Sequence, residues 1–358
     1  VRVIRTATAA ETEGRSALRG LRVVLVAPSD PPFQTGVLAT SLQLEGARVV
    51  RIAADPPVLA AVTHLASVRQ RLRGVKVRAA LGEALGEGAD VLHVEFDGSP
   101  EFQETAAAAF AAARAAGVRS VARCFESVSA TTGWALAAAD SVVVPSRHLR
   151  DDLEARLGVR ATYVPAIVED SGLEPPPVRS SGRLRLVCAR RLEPANGVSL
   201  VLAAAASAAA EGVDLELVVA GDGPERDELA RTASRLLPRR VRFAGALRRE
   251  ALLELLRASD VLVDAGRSGE FPDAVADALS IGLPVAATAS PVTAGLVEHG
   301  ATGLVAPAGD AAKLAAAIQA LGTDRAALLG FGWRAKIGSL RWTWDAVRAS
   351  WAAVYALR

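Results

Sequence analysis

Methionine is absent from this 358-residue sequence, which has only two cysteines and four histidines and an aromatic content of 4%. Each shortage removes a class of chemistry. Cys124 and Cys188 lie far apart, with no CxxC and no Cys/His ligand spacing, so no metal-ligand set is expected. Both sit beside apolar, strand-like residues and read as buried free thiols. Lysine is scarce beside arginine, and the charges nearly cancel at +2. Without a basic, aromatic-rich cluster, nucleic acid is not an expected partner. No GxSxG, HExxH or serine-triad signature occurs, and Gly221-Asp222-Gly223 lacks the GK[ST] of a Walker loop. The longest apolar stretches are alanine tracts such as 203–206, too short to span a bilayer, so no transmembrane segment is expected. The first residues lack the apolar core of a signal peptide, and a cytoplasmic protein is the expectation. Of the histidines, His93 closes an apolar strand and reads as a satisfied core residue. His148 and His299 read as exposed, and His64 has no visible partner.

What is present is 51% hydrophobic residues in short runs, with 22% charged residues between them. Leu21 to Ala27 reads as a buried parallel strand, closed by the turn residues Pro28-Ser29-Asp30-Pro31-Pro32. A helix from about Val37 to Glu45 and a strand at Arg48 to Ala53 follow. The alternation recurs through strands at Val91 to Phe96, Ser120 to Cys124 and Ser141 to Pro145, with helices at Glu104 to Ala116, Gly133 to Ala139 and Leu149 to Leu157. It restarts at Leu184 and runs through further strand and helix pairs to a helix at Ala311 to Leu321. Strands alternating with helices predict doubly wound parallel sheets, hence an α/β class. The proline- and serine-rich stretch between the two series predicts a hinge-like linker. The expected boundaries are a tail at 1–20, a first Rossmann-like domain at 21–175, a linker at 176–183, a second domain at 184–341 and a last helix at 342–358. Ligands in such sheets bind beyond the carboxyl ends of the strands, which makes an inter-domain cleft the expected site.

Arg191-Leu192 with Asn196-Gly197-Val198, Gly221-Asp222-Gly223-Pro224-Glu225, Ser268-Gly269-Glu270-Phe271-Pro272, Gly282-Leu283-Pro284-Val285 and Trp342-Thr343-Trp344-Asp345 follow one another along the second half in an order that resembles the GT-B glycosyltransferases of the retaining family 4. Arg191-Leu192 followed by Asn196-Gly197-Val198 resembles the family's GRL…KGV, and Gly221-Asp222-Gly223-Pro224-Glu225 its GDGPE turn. Ser268-Gly269-Glu270-Phe271-Pro272, running to Asp277-Ala278-Leu279, resembles SEGFP…EAM. Gly282-Leu283-Pro284-Val285 and His299 to Val305 resemble GLPV…DGVTGLLV, and Trp342-Thr343-Trp344-Asp345 resembles the start of the last helix, which in that fold returns to the first domain. The match is close over 184–358 and thinner over 21–175.

The resemblance implies a GT-B fold of two facing Rossmann-like domains, the first on the acceptor side and the second on the donor side. It implies a metal-independent transfer of a sugar from a nucleotide diphosphate sugar, with no cofactor beyond that substrate. The acceptor would be a small molecule, lipid or glycan. Arg191 matches the family's diphosphate-binding arginine, whose planar fork suits two phosphate oxygens; on its own it would read as a surface arginine after a strand. Asn196 would face the same diphosphate, Asp277 the ribose, Gly245 to Leu247 the base, and Gly36 the donor phosphates from the first domain. Phe271 and Pro272 open a helix whose N-terminus favours anions. Phe33 to Gly36 and Phe125-Glu126 would border the acceptor.

The departures fall on the chemistry. The family's lysine is Asn196, which donates a hydrogen bond but carries no charge. Its two glutamates, eight apart, become Gly269 and Asp277. Glu270, next to the first, reads either as a substitute catalytic carboxylate or as a solvated loop residue. The family's histidine aligns with Phe125, its glycine pairs with Thr35-Gly36 and with Pro291-Val292 and Gly295, and its NGVD turn with Ala166 to Asp170. An enzyme with altered donor or acceptor is the first expectation. The alternative is a catalytically degenerate GT-B protein that binds a nucleotide sugar or a partner enzyme.

Overall fold

Runs such as Arg22–Pro28 and Val91–Phe96 are apolar at successive positions and buried on both faces, as strands inside a parallel sheet must be. The computed structural model describes residues 2–5, 17–28, 33–54, 79–96, 100–126, 128, 133–168, 182–267 and 269–356. The chain divides into two compact units, Val1–Ile167 with Trp344–Arg358, and Val168–Thr343. Most of the expected linker, the turn at 29–32, His64, Glu169-Asp170 and Ser268 lie outside the described residues.

The first unit contains β1 (Arg2–Arg5), β2 (Arg22–Pro28), α1 (Phe33–Leu44), β3 (Arg48–Ala54), helical residues 79–86 (α2), β4 (Val91–Phe96), α3 (Pro100–Ala115), β5 (Arg119–Cys124), β6 (Ser141–Val144), α4 (Arg147–Leu157) and β7 (Ala161–Tyr163). Its seven strands run in the order β1-β3-β2-β4-β5-β6-β7, with β1 antiparallel to β3 and the other pairs parallel. Residues 1–20 are therefore not simply a tail: Arg2–Arg5 extend the sheet edge, and Leu18 is buried in the core. The helix expected at Gly133 to Ala139 is a single 3-10 segment, Trp134–Ala138. α4 starts where Ser146 accepts the Leu149 amide at 3.1 Å and stops at Gly158, whose φ of 64° allows the left-handed cap.

The second unit contains β8 (Leu184–Ala189), α5 (Val198–Ala210), β9 (Leu215–Ala220), α6 (Arg226–Leu236), β10 (Val241–Gly245), α7 (Arg249–Arg257), β11 (Val261–Asp264), α8 (Asp273–Ser280), β12 (Val285–Thr288), β13 (Gly303–Ala306), α9 (Ala311–Thr323) and α10 (Arg325–Ser339). Its six strands are all parallel, in the order β10-β9-β8-β11-β12-β13. Alanines 204, 205 and 208 of α5 are fully buried among Leu186, Leu217, Leu314 and Ile318; small side chains there let the helix lie close to the sheet. β13 and α10 were not foreseen as elements. Asp324 marks the break before α10 by accepting the Ala327 amide at 2.9 Å.

The last helix, α11 (Trp344–Ala356), belongs to the first unit. Val347, Trp351, Val354 and Tyr355 are buried there with Leu25, Leu38 and Leu42. Trp344 Nε1 donates to Glu45 Oε1 at 3.0 Å, tying the helix start to the end of α1.

Candidate functional site

Strand order marks a candidate site in the second unit. The chain winds outward from β8 through β9 to β10, then crosses back to β11 and winds the other way. Where winding reverses, the loops after neighbouring strands diverge and leave a crevice at their carboxyl ends, the usual ligand position in doubly wound sheets. Two charged residues stand at that point. Arg190 follows β8 and Asp264 ends β11; their side chains are 9% and 4% exposed and meet in a fork, Nε to Oδ1 at 2.7 Å and Nη2 to Oδ2 at 3.1 Å. Burial opposes the guanidinium charge, but Asp264, with a further contribution from Glu270, holds its pKa well above the usual range. The guanidinium fills the space beside Gly266, where a Cβ would come within 2.7 Å of Arg190 Nη2. Burial, reinforced by the Asp264 charge, also pushes the nearby Cys188 thiol up to about 12, in keeping with its expected role as an inert core group.

The loops around this pair are locked by backbone contacts. Arg190 N donates to Ala220 O at 3.0 Å, Leu192 N to Asp222 O at 2.9 Å and Gly221 N to Gly245 O at 2.8 Å. Gly221 has φ +138°, and a Cβ there would lie 1.8 Å from Arg190 O. Gly197 has φ +65°, and its Cβ would lie 2.2 Å from Ala265 O. Both positions need glycine for space and for backbone conformation.

Arg191 projects from this frame with 68% of its side chain exposed, paired to Glu193 Oε1 at 2.5 Å. Asn196 turns inward: it is 2% exposed, and its Nδ2 donates to Arg191 O at 3.1 Å. Arg267 N donates to Ala195 O at 2.8 Å, joining this loop to the one after β11. That second loop carries half-buried Gly269 and Glu270, then buried Phe271 and Pro272, whose carbonyl accepts the Val275 amide at 2.9 Å as α8 begins. Asp277, one turn into α8, is 1% exposed, and both its oxygens accept from Arg249, Oδ1 from Nη2 at 2.7 Å and Oδ2 from Nη1. Gly245 and half-buried Leu247 form the loop that leads from β10 to Arg249.

The expected residues of the second unit thus share one end of its sheet, linked loop to loop. Gly36 is in the first unit, on the first turn of α1 beside buried Thr35. Three charged partners were missed. Arg190, Asp264 and Arg249 carry no motif, but an arginine doublet and an aspartate closing two apolar strands would have signalled a pair at the sheet's end.

The first unit holds a second buried polar group. Glu95 on β4 accepts from Arg123 on β5, at 3.0 Å from Nε and 2.7 Å from Nη2. His93 Nε2 lies 3.2 Å from Glu95 Oε1, and its Nδ1 is 2.9 Å from the Tyr355 hydroxyl of α11. The Arg123 guanidinium also lies over the rings of Phe125 and Trp351, at 4.6 and 5.4 Å. Burial drives the His93 pKa down, outweighing the pull of Glu95. Burial would raise Glu95, but Arg123 and His93 together hold it below its ordinary value. His93 is the buried, partnered histidine that the sequence suggested. His148 is half-buried rather than exposed, and His299 is exposed with its Nδ1 accepting the Val305 amide at 3.0 Å. Among the described residues, no group of three or more His, Cys, Asp or Glu side chains could hold a metal, and no helix is long and apolar enough to cross a membrane.

Two parallel-sheet α/β units of this kind constitute the GT-B glycosyltransferase fold. The chain aligns with HepE of Anabaena, crystallised in complex with UDP-glucose, at a TM-score of 0.71 and 16% identity, over 93% of this chain and 99% of that one. The likeness is one of fold. Within it, residues 174–336 match the family model of glycosyl transferases group 1, a segment that contains the whole second-unit site. A phosphatidyl-myo-inositol mannosyltransferase of Mycolicibacterium smegmatis is 28% identical over 219 residues, 60% of this chain and 56% of its own length. An exopolysaccharide phosphotransferase of Streptomyces coelicolor is 30% identical over 226 residues, 61% of this chain and 23% of its own length. The chain thus spans less than two thirds of either relative.

Proposed function

We propose that the chain is a retaining, metal-independent glycosyltransferase that moves a sugar from a nucleotide diphosphate sugar to a hydroxyl acceptor. The observation that carries this reading is the ring of loops around Arg190, Arg191 and the start of α8, within the segment matched by the glycosyltransferase model. In the reaction the bond from the anomeric carbon to the diphosphate breaks, and the nucleoside diphosphate leaves with the electron pair. The acceptor oxygen bonds that carbon on the face the diphosphate left, and the acceptor proton passes to a diphosphate oxygen. Charge grows on the leaving group, so donors held in place before reaction lower the barrier.

Each residue has a part in this reading. Arg191 exchanges Glu193 for the diphosphate; an exposed pair of that kind is worth only about 0–1 kcal/mol, so a dianion competes readily. Asn196 shapes the loop by holding the Arg191 carbonyl. Arg190 and Asp264 fix the two strand ends beneath. Asp277 accepts from Arg249 and retains lone pairs for a ribose hydroxyl. Glu270 faces the donor sugar, and the Gly245 to Leu247 loop flanks the base. A second reading, binding without transfer, draws on Gly269 and Asn196, which lack the carboxylate and cation of the family's pattern.

Calorimetric titration with UDP-, GDP- and ADP-glucose, followed by a donor-hydrolysis assay, tests the proposal. One donor is expected to bind, and Arg191→Ala is expected to weaken it by about 10- to 100-fold, the worth of one charged hydrogen-bond donor. Unchanged affinity in Arg191→Ala would remove the assigned site. Donor binding without hydrolysis or transfer would favour the second reading.

A further inference from the structure

We propose that the exposed face of α10 docks the protein onto an anionic lipid bilayer. The helix packs inward through Leu328, Ala335 and Ser339, and through Lys336, whose buried Nζ donates to Ser280 O at the end of α8. Its outward face is unlike a solvated helix surface. Leu329, Trp333, Ile337 and, just beyond the helix, Leu340 are exposed by 40%, 39%, 60% and 36%. Their spacing of four, four and three residues puts them in one row along the helix. The other large apolar side chains exposed among the described residues, Leu44, Trp134 and Leu236, each stand on a separate element.

Charge selects the occupant. Between Asp324 and Asp345 the sequence has no Asp or Glu, and besides the buried Lys336 it has Arg325, Arg334 and Arg341, in a chain whose net charge is only +2. Arg334 and Arg341 are exposed beside the apolar row, with their guanidinium groups 5.0 Å from the Phe331 ring and 4.7 Å from the Trp342 ring. Two copies meeting through this row would bring like charges together. A bilayer of anionic lipids takes the apolar row at the acyl boundary, the Trp333 indole at the headgroup level and the arginines at the phosphates. A single short row with two surface cations calls for weak, reversible, salt-sensitive attachment.

The test is co-sedimentation of the full chain with vesicles of phosphatidylcholine alone and with about one third phosphatidylglycerol, at low and high salt. The expected result is binding to the anionic vesicles only, weakened by salt. Trp333→Glu with Ile337→Glu should reduce it at least tenfold. Arg334→Gln with Arg341→Gln should reduce it by more than tenfold, about fivefold for each arginine. Leu236→Glu, on α6, should leave it unchanged, and circular dichroism should report the same melting for each variant. If the double variant melts early, Ile337→Glu alone, at the most exposed position, carries the comparison. The proposal is overturned if the protein stays in the supernatant with anionic vesicles, or if the α10 variants sediment like the parent. It is equally overturned if sedimentation velocity shows a dimer that Ile337→Glu dissociates, because the row then belongs to a second copy.

Discussion

Removing either member of the Arg190–Asp264 pair should unbalance the second unit, and by unequal amounts. The pair is almost wholly buried and doubly hydrogen-bonded, with Glu270 adding a second negative field at Arg190. Truncating one partner of such a pair typically costs about 3–5 kcal/mol, because the other charge stays buried. Asp264→Leu leaves Arg190 with Glu270 as partial compensation, so its cost should fall near the low end, about 3 kcal/mol. Arg190→Leu leaves the Asp264 carboxylate, 4% exposed, without the cation that neutralises it, so its cost should fall near the high end, about 5 kcal/mol. The double variant Arg190→Leu with Asp264→Leu replaces both charges by apolar groups, and should be close to neutral or stabilising. For a unit of this size each kcal/mol moves the melting temperature by about 2–4 °C. Urea unfolding of the four proteins, followed by circular dichroism and tryptophan fluorescence, gives the double-mutant cycle. Costs under about 1 kcal/mol for both single changes, or a double change equal to their sum, would refute the reasoning.

Two further outcomes follow from geometry already described. His93 has its pKa lowered by burial, so the unfolded chain takes up a proton before the folded one does. Stability should therefore be full above pH 6.5, the group's ordinary value, and decline as pH falls below it, with a second loss below about 4.5 as Glu95 is protonated. Unfolding curves at pH 8, 6 and 4 check this; His93→Gln should remove the first decline and keep the second, and a parent stability that is flat from pH 8 to 5.5 would contradict the assignment. Gly221→Ala forces a Cβ against Arg190 O from a left-handed backbone, and should destabilise the second unit by more than 2 kcal/mol, as read from its urea midpoint; a shift under 0.5 kcal/mol would mean that the turn relaxes freely.

The two alternating series of strands and helices were legible because parallel strands buried on both faces are continuous apolar runs bounded by glycine and proline, as at Arg22–Pro28 and Leu184–Ala189. The same rule failed where the run is short or interrupted. Gly303–Ala306 contains only four residues and begins with a glycine whose Cβ would strike Val285 O, and α10 carries its apolar residues on both faces, so no helical stripe stands out. At the candidate site, the motif residues stand together at one end of the second sheet, because turns with forced glycines keep their sequence signature. The ion pairs did not show. Arg190 meets Asp264 across 74 positions and Arg249 meets Asp277 across 28, and nothing local in either stretch marks its partner.

Because α11 completes the first unit, that unit is built from two segments that flank the second unit in the sequence. During synthesis, β2 to β7 emerge long before Trp351 and Tyr355, so His93, Glu95 and Arg123 wait without their cover while the second unit is made. The second unit, continuous from 168 to 343, can mature first. The stretch made before the second unit is therefore the one that is completed after it.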